Sequence, residues 1–441
     1  MIRPPEELIH SDLKHIWHPG SQMKDYETFQ PLVVAAASGS YIDLADGKKL
    51  IDAISSWWSK SLGHNHPRLK HALMQQLERF EHVMLANTTN ATIVKLAEKL
   101  AQLSPSLTKV FFAGDGSCVV EIALKMSLHA RKIQGETKRT QFIALKNGYH
   151  GETVGALSVS DIGLYRAPYK TMLFDTYFIS PLPYLTDTRD PLWSNCLEYW
   201  RKIEKKLESL AETTTAIIVE PIVQGAAGMK IYSQHFLKLL RSWTKKHKIH
   251  LIADEIMTGI GRTGKMLACE HAHIEPDFLC LSKGLSGGWL PFSAVLTRND
   301  IYQLFYDDYK SNKGFVHSHT YSGNTLGASV ALEVLIIFEQ EKILHHVAQL
   351  GETMLTAMKE IAATTNKLKN VRGIGAIVAA DLVDNPSEQR LGFAVYQNAV
   401  KLGALLRPIG NTIYWLPPLN TTFQTIEELK NITREAILSV Y

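Results

Sequence analysis

Cysteine is scarce in this chain: Cys118, Cys196, Cys269 and Cys280 are the only four among 441 residues. None stands in a C-x-x-C pair and the four are too scattered to form a staple framework, which suits a reducing compartment and makes the cytoplasm the expected location. Long apolar runs are missing as well. No stretch approaches the ~18 apolar residues of a membrane-spanning helix, and Met1–Lys14 carries charges and prolines where a secretion signal needs an apolar core. The sequons at Asn87, Asn90, Asn420 and Asn431 therefore imply no glycosylation. There is no internal repeat, no low-complexity tract and no Gly/Ser linker, which excludes solenoid and disordered classes. Charge of one sign is not concentrated either. The net charge is +4, and the longest basic cluster, Lys245-Lys246-His247-Lys248, reads as a helix end before a strand, so no nucleic-acid partner is expected. H-E-x-x-H is absent. The histidine pairs His15/His18, His64/His66, His271/His273 and His317/His319 have neither zinc-site spacing nor a cysteine pair beside them, so no metal is expected.

What remains is an ordinary globular composition, 45% hydrophobic and 20% charged, in a chain longer than a usual domain. Short apolar runs recur in its middle: Val110–Ala113, Gln141–Leu145, Thr215–Val219, His250–Ala253, Phe278–Leu281 and Ser293–Leu296. Helical patterns at Val119–Lys132, Trp200–Leu210 and Ser233–Lys246 separate several of them, the alternation of a mostly parallel sheet covered by helices. The expected fold class is α/β, with a large lobe over residues 61–330. A strand-like segment, Leu32–Leu44, precedes it. A single helical stretch, Thr325–Thr364, follows, then strands at Ile374–Leu382 and Thr412–Leu416. Residues 1–60 and 331–441 are expected to build one small lobe together.

Three strand ends carry ionisable residues: Glu220, Asp254 and Lys283. Ligands in open α/β sheets sit just outside the carboxyl ends of the strands. A pyridinium cofactor needs a carboxylate at its ring nitrogen and a lysine to hold its aldehyde, needs that Asp254 and Lys283 would meet. A structural salt bridge would serve the same pair equally well. Phe112-Ala-Gly-Asp-Gly116-Ser117 leads into a helix, as a phosphate cup does, although Ser117 also suits a plain N-cap. Gly259-Ile-Gly261-Arg-Thr-Gly264 satisfies G-x-G-x-x-G but lacks the helix and the distant acid of a dinucleotide fingerprint. Tyr149 and His150 follow a strand, where they suit either flanking a flat ring or an ordinary surface loop. Trp57 and Trp58 cannot share one strand face, so at least one is expected to line a pocket, and Arg407 offers a cation for a carboxylate.

Together these segments resemble the class III (ω-amino acid) aminotransferases of pyridoxal-phosphate (PLP) fold type I, from about His15 to Pro418. The carriers are Gly116-Ser117, Tyr149-His150-Gly151, Glu220 to Gly225, Asp254-Glu255, Gly261 to Gly264, Lys283-Gly284 and Thr320 to Asn324. The resemblance implies PLP as cofactor, Lys283 as its covalent anchor, Asp254 as the pyridinium partner and Tyr149 over the ring. It implies Gly116, Ser117, His319 and Thr320 as further cofactor ligands, with Thr320 reaching across a homodimer interface that completes each active site. Trp57, Trp58, Tyr149, Lys283, Ser318, Arg407 and Tyr414 would meet substrate. Within the class, His15 to Pro19, the Ser55-Ser-Trp-Trp58 segment and Arg407-Pro408 with Tyr414 resemble the biotin-pathway branch. That branch converts 8-amino-7-oxononanoate to 7,8-diaminononanoate with S-adenosylmethionine as donor, or lysine in some relatives. Gly20, Glu152 and His317-Ser318-His319 depart from the family pattern near the donor end of the pocket. A general ω-amino acid transaminase and an intramolecular aminomutase of the same fold are the alternatives.

Overall fold

The apolar runs become strands of one sheet in the computed structural model, which describes residues 3–384 and 390–441. In chain order these are β1 (Lys109–Ala113), β2 (Gln141–Leu145), β3 (Thr176–Ile179), β4 (Thr214–Val219), β5 (His250–Asp254), β6 (Phe278–Leu281) and β7 (Ser293–Thr297). Their order across the sheet is β1-β7-β6-β5-β4-β2-β3. All neighbours pair in parallel except β7, which is antiparallel to both β6 and β1. The edge strand β3 is not anticipated by the sequence reading. It is four residues long with only Ile179 buried, so it shows none of the continuous apolar character of its neighbours.

Every residue of β4, β5 and β6 is buried, because helices cover both faces. Alternate side chains serve alternate faces. Ala216, Ile218 and Ile252 pack with Val119, Ile122 and Met126 of α1 (Gly116–Ile133). Ile217, Val219 and Leu251 pack with Phe236, Leu240 and Trp243 of α2 (Gln234–Lys246). Each such aliphatic or aromatic side chain contributes about 1.5–3 kcal/mol on burial, which makes the centre of the sheet a rigid platform.

The two chain ends meet. Strands at Val34–Ser38, Tyr41–Leu44 and Lys49–Asp52 form a sheet that Ala404–Leu405 completes, Ala404 lying opposite Ile51 and Leu405 opposite Asp52 in parallel. A second small sheet joins Leu368–Ile374, Ile377–Leu382 and Thr412–Trp415. Two sequence expectations need correction. The single helical stretch is two helices, α3 (Thr325–Gln340) and α4 (Ile343–Thr365), broken where Lys342 adopts a φ of 51°. The expected strand Ile374–Leu382 is one arm of a hairpin that turns at Gly375, φ 53°. Gly375 also explains the glycine motif after β5: a Cβ there would lie 2.3 Å from the carbonyl carbon of Thr263, so Gly261 to Gly264 packs backbone to backbone with the hairpin. Among the described residues no helix is long and apolar enough to cross a membrane.

Candidate active site

At the carboxyl ends of β4, β5 and β6, Glu220, Asp254 and Lys283 converge on a cavity of about 270 Å³ that Gly116, Ser117, Tyr149, His150 and Trp58 also line. Asp254 closes β5 with one carboxylate oxygen 2.8 Å from His150 Nδ1 and the other accepting the amide of Ile256 at 3.1 Å. His150 is itself fixed by its backbone amide, which donates to Ser160 Oγ at 2.9 Å. Lys283 follows β6 in a left-handed conformation, φ 45°, and its Nζ lies 4.6 Å from the centroid of the Trp58 ring. Burial lowers the Lys283 pKa, while Asp254 and Glu220 pull the other way. The buried Glu220 carboxyl is pushed well up, first by burial and then by the charge of Asp254, and its Oε2 has no partner. The site thus holds one firmly oriented carboxylate, a second acid that favours its proton, and an amine that gives up its proton more readily than a free lysine.

The amino end of α1 forms the opposite wall. Its cap is Asp115, which accepts the amide of Cys118 at 3.0 Å, so Ser117 is not the cap. Ser117 Oγ instead accepts the amide of Glu152 at 3.1 Å. Gly151, φ 125°, lets that loop come so near: a Cβ there would lie 2.0 Å from Ser117 Oγ. Tyr149 donates to Glu152 Oε1 at 3.0 Å, and burial together with Glu152 raises its phenol pKa. Free amides at a helix start favour an anion.

Four of the expected substrate residues, Trp57, Trp58, Arg407 and Tyr414, come from the chain ends. Ser55, Ser56, Trp57 and Trp58 have φ values of 51°, 45°, 71° and 74°, a left-handed turn built without glycine that costs about 1–2 kcal/mol per residue. The turn sends its two indoles apart. Trp58 is buried and donates from Nε1 to Tyr414 OH at 3.0 Å. The Tyr414 phenol is pushed up to about 12, chiefly by burial. Trp57 is 44% exposed and lies under the Arg407 guanidinium, 4.1 Å from ring centroid to Cζ. Arg407 also donates to the Gly20 carbonyl at 2.8 Å. Gly20 has a φ of 58°, and a Cβ there would lie 3.0 Å from Trp57 Cη2, so this chain has no room for a larger residue without moving the indole. Gly20 and Arg407 line a second cavity of about 540 Å³ beside Tyr26, Phe29 and Tyr396.

Ser318, His319 and Thr320 line neither cavity. His319 Nε2 lies 3.1 Å from His317 Nε2, and the Thr320 carbonyl is 2.9 Å from His82 Nε2. One chain therefore gathers Lys283, Asp254, Tyr149, Gly116, Ser117 and Trp58 in one cavity, sets Trp57, Arg407 and Tyr414 around the indole turn, and leaves the segment 318–320 apart. Sequence reasoning gave no role to the His150–Asp254 bond or to the Glu220 carboxyl, whose Oε2 has no partner. The one available signal was the position of each at a strand end or in the loop after one.

These features fit a flat, aldehyde-bearing, phosphorylated cofactor: a partly desolvated lysine, a buried oriented carboxylate, and a helix start that lines the same cavity. The chain belongs to the class III aminotransferases, PLP-dependent enzymes, whose family model matches residues 22–437. It is 40% identical to the adenosylmethionine-8-amino-7-oxononanoate aminotransferase of Helicobacter pylori over 96% of each chain. The crystal structure of the enzyme of that name from Methanocaldococcus jannaschii superposes with a TM-score of 0.91 at 34% identity, covering 99% of both chains. A PLP-bound amine transaminase from an uncultivated Pseudomonas species superposes with a TM-score of 0.88 at 30% identity, over 97% of this chain and 99% of that one.

Proposed function

We propose that this aminotransferase converts 8-amino-7-oxononanoate to 7,8-diaminononanoate in biotin synthesis, with S-adenosylmethionine as amino donor, as a cytoplasmic homodimer. The observation that carries the reading is the Ser55–Trp58 turn, which sets one indole against Lys283 and the other under Arg407. Amine chemistry and carboxylate recognition are thereby coupled through one segment, as a keto acid with a distant carboxylate requires. The name shared by relatives 33–40% identical over nearly the whole chain supports it further.

Bound PLP supplies an electron sink for the carbon that loses its proton. Lys283 would anchor it and would carry that proton with a nitrogen whose burial favours the neutral form. Asp254, held by His150, would be the carboxylate partner of the ring nitrogen. Burial and the charge of Asp254 both favour the neutral form of Glu220. Gly116 and Ser117 offer amides to the phosphate, Tyr149 covers the ring, and Arg407 takes the carboxylate of the acceptor while Tyr414 fixes Trp58. His319, Ser318 and Thr320 of the partner subunit complete the site at the dimer interface.

The test is turnover with purified protein, 8-amino-7-oxononanoate and one donor at a time. Diaminononanoate is expected with S-adenosylmethionine. Product with lysine alone would reassign the donor, which the Gly20 and His317–His319 departures make the variable element. Turnover of ornithine or 4-aminobutyrate without any use of the biotin precursor would overturn the reading in favour of a general ω-transaminase.

A further inference from the structure

A left-handed turn of four residues that are neither glycine nor asparagine must be imposed by its surroundings. Asp52, with no exposed surface, ends the strand before the turn and accepts the amides of Ile54 at 3.3 Å and Ser56 at 3.0 Å through Oδ1. Its Oδ2 accepts Ser56 Oγ at 2.8 Å and lies 2.8 Å from His64 Nε2. Burial acts to raise the Asp52 pKa, but His64 and the two Ser56 bonds outweigh it and hold the carboxyl below its ordinary value. On the far side, Ser55 Oγ donates to the Leu416 carbonyl at 2.7 Å. Asp52 and His64 line neither cavity. Both reach substrate only through the indoles.

We propose that Asp52, locked by His64, is a positioning residue: its carboxylate imposes the left-handed turn that sets Trp58 against Lys283 and Trp57 under Arg407, and thereby fixes where the acceptor carboxylate is held. The acceptor part rests on the biotin-pathway reading; the conformational part does not. Asparagine at 52 would retain one acceptor for the backbone amides but lose the charged acceptor shared by Ser56 and His64. Glycine at 56 would take the left-handed conformation without steric cost, so it should substitute for the missing constraint.

The holoenzyme is compared as wild type, Asp52→Asn, Ser56→Gly and the double variant, by visible absorbance of the bound cofactor, amide exchange over residues 53–61, and steady-state kinetics. Asp52→Asn is expected to keep its cofactor, to exchange that segment at least about tenfold faster, and to raise the acceptor KM by about tenfold with kcat falling less than about threefold. Adding Ser56→Gly should return both exchange and KM to within about threefold of wild type. A variant with lowered Tm but unchanged exchange and KM in its folded fraction, or a double variant with no rescue, would overturn the proposal. Should Asp52→Asn not fold, His64→Phe removes one Oδ2 partner and leaves both amide bonds; an acceptor KM raised by about threefold is expected, and an unchanged one would overturn it. If the wild type does not use the acceptor at all while exchange responds as described, the substrate reading fails and the imposed turn stands.

Discussion

Asp277 and Glu220 are both buried acids on the same seven-stranded sheet, one preceding β6 at its amino end, the other following β4 at its carboxyl end. Asp277 receives Arg241 at 2.6 and 3.1 Å, Arg298 at 2.8 Å and the Leu251 amide at 2.8 Å. Burial works to raise its pKa, but Arg241 and the other donors outweigh that effect and hold it low. Glu220 has an oxygen with no partner and a pKa pushed well up by burial. Lys283 nearby sits with its charge discouraged. A buried group left without partners is costly unless a ligand supplies them. The amino end thus uses its charges to hold strands and helices together, whereas the carboxyl end holds an acid and an amine whose charged forms burial disfavours.

That contrast predicts crosswise effects. The largest is expected for Lys283→Ala, which should lose the visible absorbance of the cofactor and more than about 10³-fold in kcat while its Tm stays within a few degrees of wild type. Measurable turnover by that variant would break the division between the two ends. Asp254→Asn should lose about 10²–10³-fold in kcat through weakened electrostatic stabilisation, again with little change in a denaturant titration. Asp277→Asn should do the reverse: about 3–5 kcal/mol less stability, because it strands the buried Arg241 guanidinium, with kcat per folded molecule unchanged. The acid dependence gives a second check on that variant. A carboxyl whose folded pKa is depressed stabilises fully above its unfolded value of about 3.9 and loses that contribution as pH falls through the folded value. The stability gap between wild type and Asp277→Asn should therefore be constant above about pH 4 and shrink below it; a gap that grows in acid would contradict the assigned direction.

Smaller effects sharpen the picture at the rim. Arg407→Ala should raise the acceptor KM by roughly 10- to 100-fold, the worth of a charged hydrogen bond, with cofactor absorbance retained. Gly20→Ala should cost about 1 kcal/mol in stability from its left-handed backbone and raise the same KM by only a few-fold, since its Cβ would press on Trp57.

The platform was legible in the sequence because β4, β5 and β6 are buried on both faces and read as unbroken apolar runs ending in Glu220, Asp254 and Lys283. β3 was not, because a half-exposed edge strand lacks that signature. The helix start at Gly116 was legible from glycine before a helical pattern, but not the choice of Asp115 over Ser117 as cap, since either side chain can accept a helix amide. The indole turn was hidden for a different reason. Left-handed backbone is ordinarily announced by glycine or asparagine, and here Asp52 and His64 enforce it on serine and tryptophan. Strand geometry was the sequence argument for separating Trp57 from Trp58, but the segment is no strand: the left-handed turn is what sends the two indoles apart.

The pairing of Ala404–Leu405 with Lys49–Asp52 has a consequence for the order in which a ribosome can finish the enzyme. Gly116, Asp254 and Lys283 all emerge before the chain reaches residue 300, so a nascent polypeptide can assemble its catalytic floor early. Arg407 comes two residues after the strand that closes the small sheet, and the segment Lys49–Asp52 waits for it from the opposite end of the message. A chain released before Ala404 would contain Lys283 and lack Arg407, the residue proposed to hold the carboxylate of the acceptor.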